Sequence, residues 1–158
     1  MKFSFILLTL LGLLATSRAT LAGSLVVGDL VPVISAPDQN GKPFVSTNHY
    51  QFLLIATEMA AAKAANQKLA EQEAGFLELH HAAWLLDIHS MPAIARFFAF
   101  PKLRKYPQRI ILVDRAEILA GFPAQAGRVT VVAVTPDQHI RNFSFWDPNA
   151  TPLARCFP

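Results

Sequence analysis

Phe52-Leu53-Leu54-Ile55-Ala56-Thr57-Glu58-Met59-Ala60-Ala61-Ala62-Lys63 joins an apolar run of strand length to a stretch of strong helix formers. A run without polar alternation suits a strand buried on both faces, as in a parallel or mixed sheet. The helix that follows is expected from Met59 to Gly75, with Thr57 as N-cap, Gly75 as its stop, and Met59, Ala62, Leu69 and Phe76 as its packed stripe.

Working outward, the same alternation of strand and helix continues. Ala82 to Ile88 reads as a second buried strand. Ser90 is placed to cap a second helix with Pro92 in its first turn, Ile94, Phe97 and Phe98 on its core face, and Pro101 as its end or kink. Arg109 to Val113 is a third strand, and Val129 to Val134 and His139 to Phe145 form a hairpin through Thr135-Pro136-Asp137-Gln138. Upstream, Asp38-Gln39-Asn40-Gly41-Lys42-Pro43 reads as a tight turn between two short extended segments. The pattern predicts an α/β fold, a mixed sheet with helices on its faces and a C-terminal β-hairpin, over residues Gly23 to Asp147, with 148–158 as an irregular, mobile tail.

Composition bounds the remainder. The chain has 158 residues, 53% of them hydrophobic and 16% charged, a net charge of +3 and one cysteine. One domain with a sizeable core is expected, and disordered, collagen-like and coiled-coil classes do not fit. A single cysteine leaves no internal disulfide framework and no Cys-rich metal site. Met1 to Ala22 opens with Lys2, continues through the apolar run Phe3 to Ala15 and relaxes into small residues, the pattern of a cleavable secretory signal with a cut after Ala22 or Ala19. The apolar run is shorter than the roughly 20 residues of a membrane span. The expected destination is the bacterial periplasm, with secretion as the alternative and no stable membrane anchor after cleavage. Removing Lys2 and Arg18 leaves 12 basic against 11 acidic residues, a balance of +1, which gives no reason to expect a nucleic-acid partner.

The order of elements, with Gly28-Asp29-Leu30-Val31-Pro32 and Asp38-Gln39-Asn40-Gly41-Lys42 ahead of the first long strand, resembles the thioredoxin-like superfamily, especially its peroxiredoxin-like branch. More loosely, Tyr106-Pro107, the strand through Val113 and the final hairpin are similar to the YtfJ-type periplasmic proteins. The resemblance implies a reactive cysteine where the first long strand meets its helix, because a helix N-terminus favours the thiolate. This chain has Thr57-Glu58-Met59-Ala60 there, so the resemblance implies a fold and a contact groove without the thiol chemistry. The candidate groove comprises Thr57, Glu58, Met59 and Ala60 with Tyr106 and Pro107, and a cis bond is expected at Pro107. The expected partner is a protein or peptide, and no cofactor is expected.

Three further groups of residues bear on chemistry. Cys156 is read as structural or incidental, with an intermolecular disulfide as the alternative. Glu78, His80, His81, Asp87 and His89 are the densest set of metal-ligand types, and His81, Asp87 and His89 share parity on an extended strand. Surface and strand-end histidines are the favoured reading, and a metal site that draws on His49 or His139 is the alternative. Arg96, Lys102, Arg104, Lys105, Arg109 and Arg115 form a basic cluster that could meet anionic headgroups or an acidic partner, although a solvated helix end is favoured. No serine lies in a Gly-x-Ser-x-Gly context and no phosphate-binding loop is present. Asn142-Phe143-Ser144 and Asn149-Ala150-Thr151 match the N-glycosylation triplet. Phe100 and Trp146 are the aromatics expected to reach a recognition surface.

Overall fold

The computed structural model describes residues 23–46 and 49–157. The export segment expected at Met1 to Ala22 lies outside them. Two short strands come first, β1 (Ser35–Pro37) and β2 (Pro43–Val45), paired antiparallel around the predicted Asp38–Lys42 turn. Gly41 closes that turn at φ 79°, a conformation glycine adopts without the Cβ penalty. The main sheet has five strands: β3 (Phe52–Ala56), β4 (Ala82–Asp87), β5 (Ile110–Val113), β6 (Val129–Val134) and β7 (Ile140–Trp146), in the spatial order β5-β4-β3-β6-β7. β3, β4 and β5 run parallel, and β6 and β7 are antiparallel to their neighbours, so the sheet is mixed.

Every residue of β3, β5 and β6 is buried. Such strands need helices or loops over both faces, and two core clusters fill those roles. One cluster lies under α1 (Met59–Ala70), the short α2 (Phe76–Leu79) and α3 (Ala93–Leu103). The other is covered by β1, β2 and the short α4 (Ala116–Leu119).

Helix α1 packs through Ala61, Ala62, Ala65, Asn66 and Leu69. Its alanines let the backbone approach the sheet and leave space for Trp84, the largest buried side chain of β4. The indole Nε1 of Trp84 donates to Asn66 Oδ1 at 2.8 Å, which satisfies a polar group on each side of the layer.

Several local expectations are corrected. Glu58, not Thr57, is the N-cap of α1, and the helix stops at Ala70 while Gly75 opens α2. Met59 is exposed, because the packed face of α1 runs through Ala61, Ala62, Ala65 and Leu69 and Met59 lies off it. Helix α3 is rotated from its predicted orientation: Ile94, Phe97 and Phe98 point outward, and Leu103, Phe100 and Ala99 face the core. Arg96 accounts for this rotation. Its Nε donates to Met91 O at 2.9 Å and its Nη2 to Ile88 O at 2.7 Å, drawing that side of the helix onto the loop after β4. Pro101 does not end α3, which runs on to Leu103. The stretch read as a mobile tail instead packs down: Leu153–Cys156 form a 3-10 helix, Leu153 and Cys156 are buried, and the Phe157 ring meets Phe52 and Phe76 edge to face.

Asn66→Ala should lower unfolding stability by about 1–3 kcal/mol, since the buried indole N–H of Trp84 loses its acceptor. Urea denaturation followed by tryptophan fluorescence measures it, and a change within error would show that this bond contributes nothing.

Candidate functional site

The register of the central strands fixes what meets at each end of the sheet. Ala56 ends β3 beside Leu86 of β4, and Ile55 lies opposite Thr130 of β6. Because β6 runs antiparallel to β3, the residues entering β6 face the turn leaving β3. Glu58 there accepts a hydrogen bond on Oε2 from the Gly127 N–H at 2.9 Å. Thr57 is half-buried, and Glu58, Met59 and Ala60 are exposed around this contact, with Arg128 half-buried beside Gly127. Sequence reading missed Gly127 and Arg128. The signal that finds them is the antiparallel return of the final hairpin onto β3.

Tyr106 and Pro107 do not join this group. They precede β5, whose Ile110 lies level with Trp84 and hence with Leu54, so they stand at the opposite end of the parallel strands from Thr57. About six residues of strand separate the two levels, on the order of 20 Å. There are no cis peptide bonds among the described residues, so the bond expected to be cis at Pro107 is trans. The place facing the turn after β3, ahead of the strand that pairs antiparallel with β3, is held by Gly127-Arg128.

Tyr106 and Pro107 instead border an open cleft beside Asp38, Gln39, Gln108 and Arg109. Those four residues fasten the β1–β2 turn to the edge of β5. Gln39 Nε2 donates to Gln108 O at 2.9 Å and Gln39 Oε1 accepts from Ile110 N at 2.8 Å, so one buried amide continues the ladder of the sheet. Gln108 Nε2 in turn donates to Glu73 O at 2.6 Å. Arg109 Nε donates to Asp38 Oδ2 at 3.0 Å, and its guanidinium lies 5.5 Å from the Phe44 ring centroid. Burial pushes the Asp38 carboxyl up, but the N–H groups of Lys42 and Asn40 and the Arg109 guanidinium outweigh it and hold the group below its ordinary value.

The basic cluster is therefore divided. Arg96 and Arg109 are structural, and Arg104 Nε donates to Gln39 O at 3.1 Å. Lys102, Lys105 and Arg115 remain exposed.

The metal-ligand candidates are scattered. His81 precedes β4 and Asp87 ends it, so the two occupy opposite ends of one strand. Asp87 Oδ1 lies 2.7 Å from His89 Nδ1, and His139 Nδ1 lies 3.0 Å from Asp137 Oδ2. His80 is sandwiched between Phe76 and Phe157 at ring-centroid distances of 4.3 and 4.6 Å, where it walls a cleft of about 610 Å³ with Lys68, Gln72 and Asn149. Among the described residues no three His, Cys, Asp or Glu side chains gather as a metal site.

Cys156 is 3% exposed, and burial pushes its thiol up to about 12. It sits in the core beneath α1, where the thiolate is suppressed, unlike a nucleophilic cysteine at a helix N-terminus. Trp146, expected at a recognition surface, is buried, while Phe100 is half-buried against the core.

No protein-family model matches the sequence, and none of the curated proteins compared with it does. Solved structures do match, and they define the class: the chain has a thioredoxin-like fold. The thioredoxin domain of a thiol-disulfide oxidoreductase from Bacteroides vulgatus is similar over 85% of this chain and 100% of its own, with a TM-score of 0.53 and 12% identity. A peroxiredoxin-like protein from Aquifex aeolicus is similar over 78% of each chain, with a TM-score of 0.52 and 12% identity. A peroxidoxin from Mycobacterium tuberculosis matches 78% of this chain and 89% of its own, with a TM-score of 0.51 and 16% identity.

Two measurements check this description. Ellman's reagent should modify Cys156 in the folded protein at pH 8 at least a hundredfold more slowly than in urea; equal rates would mean that the C-terminal turn is open. Because the folded thiol titrates above its ordinary value of 9.0, its contribution to stability is full below pH 9 and is lost as the pH rises towards 12. For Asp38 the sign is reversed: its ionised form stabilises the fold above pH 3.8, and that stability disappears as the pH falls below it. Asp38→Asn should thus lower the urea midpoint at pH 7, with the gap from wild type narrowing below pH 3.8. A constant gap would exclude the charge as its cause.

Proposed function

We propose that this chain is an exported, non-catalytic thioredoxin-like binding or accessory protein that holds a protein or peptide partner at the turn between β3 and α1. The observation that carries the reading is Glu58 at that turn, its carboxylate engaged by the Gly127 N–H, in the place where the resemblance implies a thiolate. Disulfide exchange and peroxide reduction both require a thiolate nucleophile, and the one cysteine of the chain is buried in the core. Exposed Met59 and Ala60 supply apolar contact beside the carboxylate and the half-buried Arg128, a mixture suited to a polypeptide segment. Export rests on the leader pattern of Met1 to Ala22.

A photo-crosslinking amino acid at Met59, introduced into the chain in exporting cells, should yield a discrete adduct that the same probe at exposed Glu117 does not. The processed chain should begin at Gly23 in the periplasmic fraction. Turnover of insulin disulfides or hydrogen peroxide by the wild-type protein, abolished in Cys156→Ser, would overturn the non-catalytic reading. Retention of an uncleaved chain in the cytoplasm would overturn export.

A further inference from the structure

Helix α3 carries its apolar residues on the wrong side for a solvated helix. Ile94, Phe97 and Phe98 are 67%, 72% and 62% exposed. Their i, i+3, i+4 spacing places them on one outward face, continued by Pro101 at i+7 and Lys102 at i+8. Lys105 follows in the turn that leaves the helix, bonded through its N–H to Lys102 O at 3.1 Å. Single exposed apolar residues are ordinary, but three in one contiguous ridge are not.

Charge distinguishes this ridge further. From Ser90 to Val113 the chain has five basic residues and no acid. Arg96 and Arg109 are committed to backbone carbonyls and to Asp38, whereas Lys102 and Lys105 have no ion-pair partner among the described residues. A cleft of about 180 Å³ borders α3, but Arg96, Phe100 and Arg104 line it, and none of Ile94, Phe97 or Phe98 does.

We propose that α3 is a peripheral docking face for an anionic lipid bilayer, with Ile94, Phe97 and Phe98 entering the headgroup boundary and Lys102 and Lys105 meeting lipid phosphates. Large apolar side chains beside lysines are the composition of an interfacial helix, and the long lysine stems let the ammonium groups reach the headgroups while the rings insert. The three apolar side chains expose an area on the order of 400 Å². That is about half of the roughly 800 Å² per partner that a stable dimer buries, which argues against a second copy as the occupant. No helix among the described residues is long and apolar enough to cross a membrane, so the contact is one of surface attachment.

The test uses the full chain with vesicles of phosphatidylcholine alone or with about one-third phosphatidylglycerol. Phe98→Cys in a Cys156→Ser background, labelled with an environment-sensitive nitrobenzoxadiazole dye, reports α3 itself, whatever Met1–Ala22 does. A blue shift with anionic vesicles, reversed by high salt and absent with neutral ones, is expected. In vesicle flotation, Lys102→Ala and Lys105→Ala should each reduce the partition coefficient by about fivefold. Phe97→Ser with Phe98→Ser should weaken it further while circular dichroism stays unchanged. No blue shift, an equal shift with neutral vesicles, or variants that float like wild type would overturn the proposal. So would light scattering that shows a dimer dissolved by Phe97→Ser, since the face would then belong to a second copy.

Discussion

Strand β3 is hydrogen-bonded on both sides, parallel to β4 and antiparallel to β6, and all of its residues are buried. That double pairing is the constraint on which the rest depends. It makes β3 the axis of the sheet, so both faces must be covered, and it sets which loops share an end. The turn Thr57–Glu58 meets Gly127 only because β6 returns against β3. Pro107 stands away from them only because β5 runs in the same direction as β4. A shift of β6 by one residue would reverse the face of each buried side chain in that strand, so the site geometry and the core are specified by the same register.

The parts of the fold that could be read in advance are those where burial leaves one solution. Phe52–Ala56, Ala82–Asp87, Ile110–Val113 and Val129–Val134 are apolar runs too short for helices, and each became a strand of the sheet. The Asp38–Lys42 turn was also legible, since Asp38 Oδ1 accepts from the N–H groups of Asn40 and Lys42 and Gly41 supplies the positive φ. Helix α3 was legible as an element but not in its rotation. It is apolar on both sides, so periodicity offered no choice, and the deciding contacts of Arg96 with carbonyls in the loop after β4 are tertiary. Met59 differs for a related reason: an alanine-rich helix offers several faces of similar character, and the face that packs runs through Ala61, Ala62 and Ala65.

The candidate site was legible in half. Thr57 to Ala60 could be located because local sequence marks a strand-to-helix junction. Gly127 and Arg128 carry no such mark, and their position follows from strand order. The basic cluster shows the same limit: six residues close in sequence serve separate purposes, with Arg109 neutralised by Asp38, Arg96 and Arg104 bonded to backbone carbonyls, Arg115 3.9 Å from Glu117, and Lys102 and Lys105 left to solvent.

The C-terminal turn has a kinetic consequence. Phe157 meets Phe52 edge to face, and Leu153 and Cys156 complete the core that β3 begins. The first strand of the sheet and the turn that seals it are thus among the most widely separated segments of the described chain. During synthesis, Phe52, Phe76 and the underside of α1 remain uncovered until residues 153–157 have left the ribosome. The nascent chain therefore presents a greasy, incompletely closed sheet for most of its translation, an interval in which a holding chaperone has the most to bind and in which aggregation competes with folding.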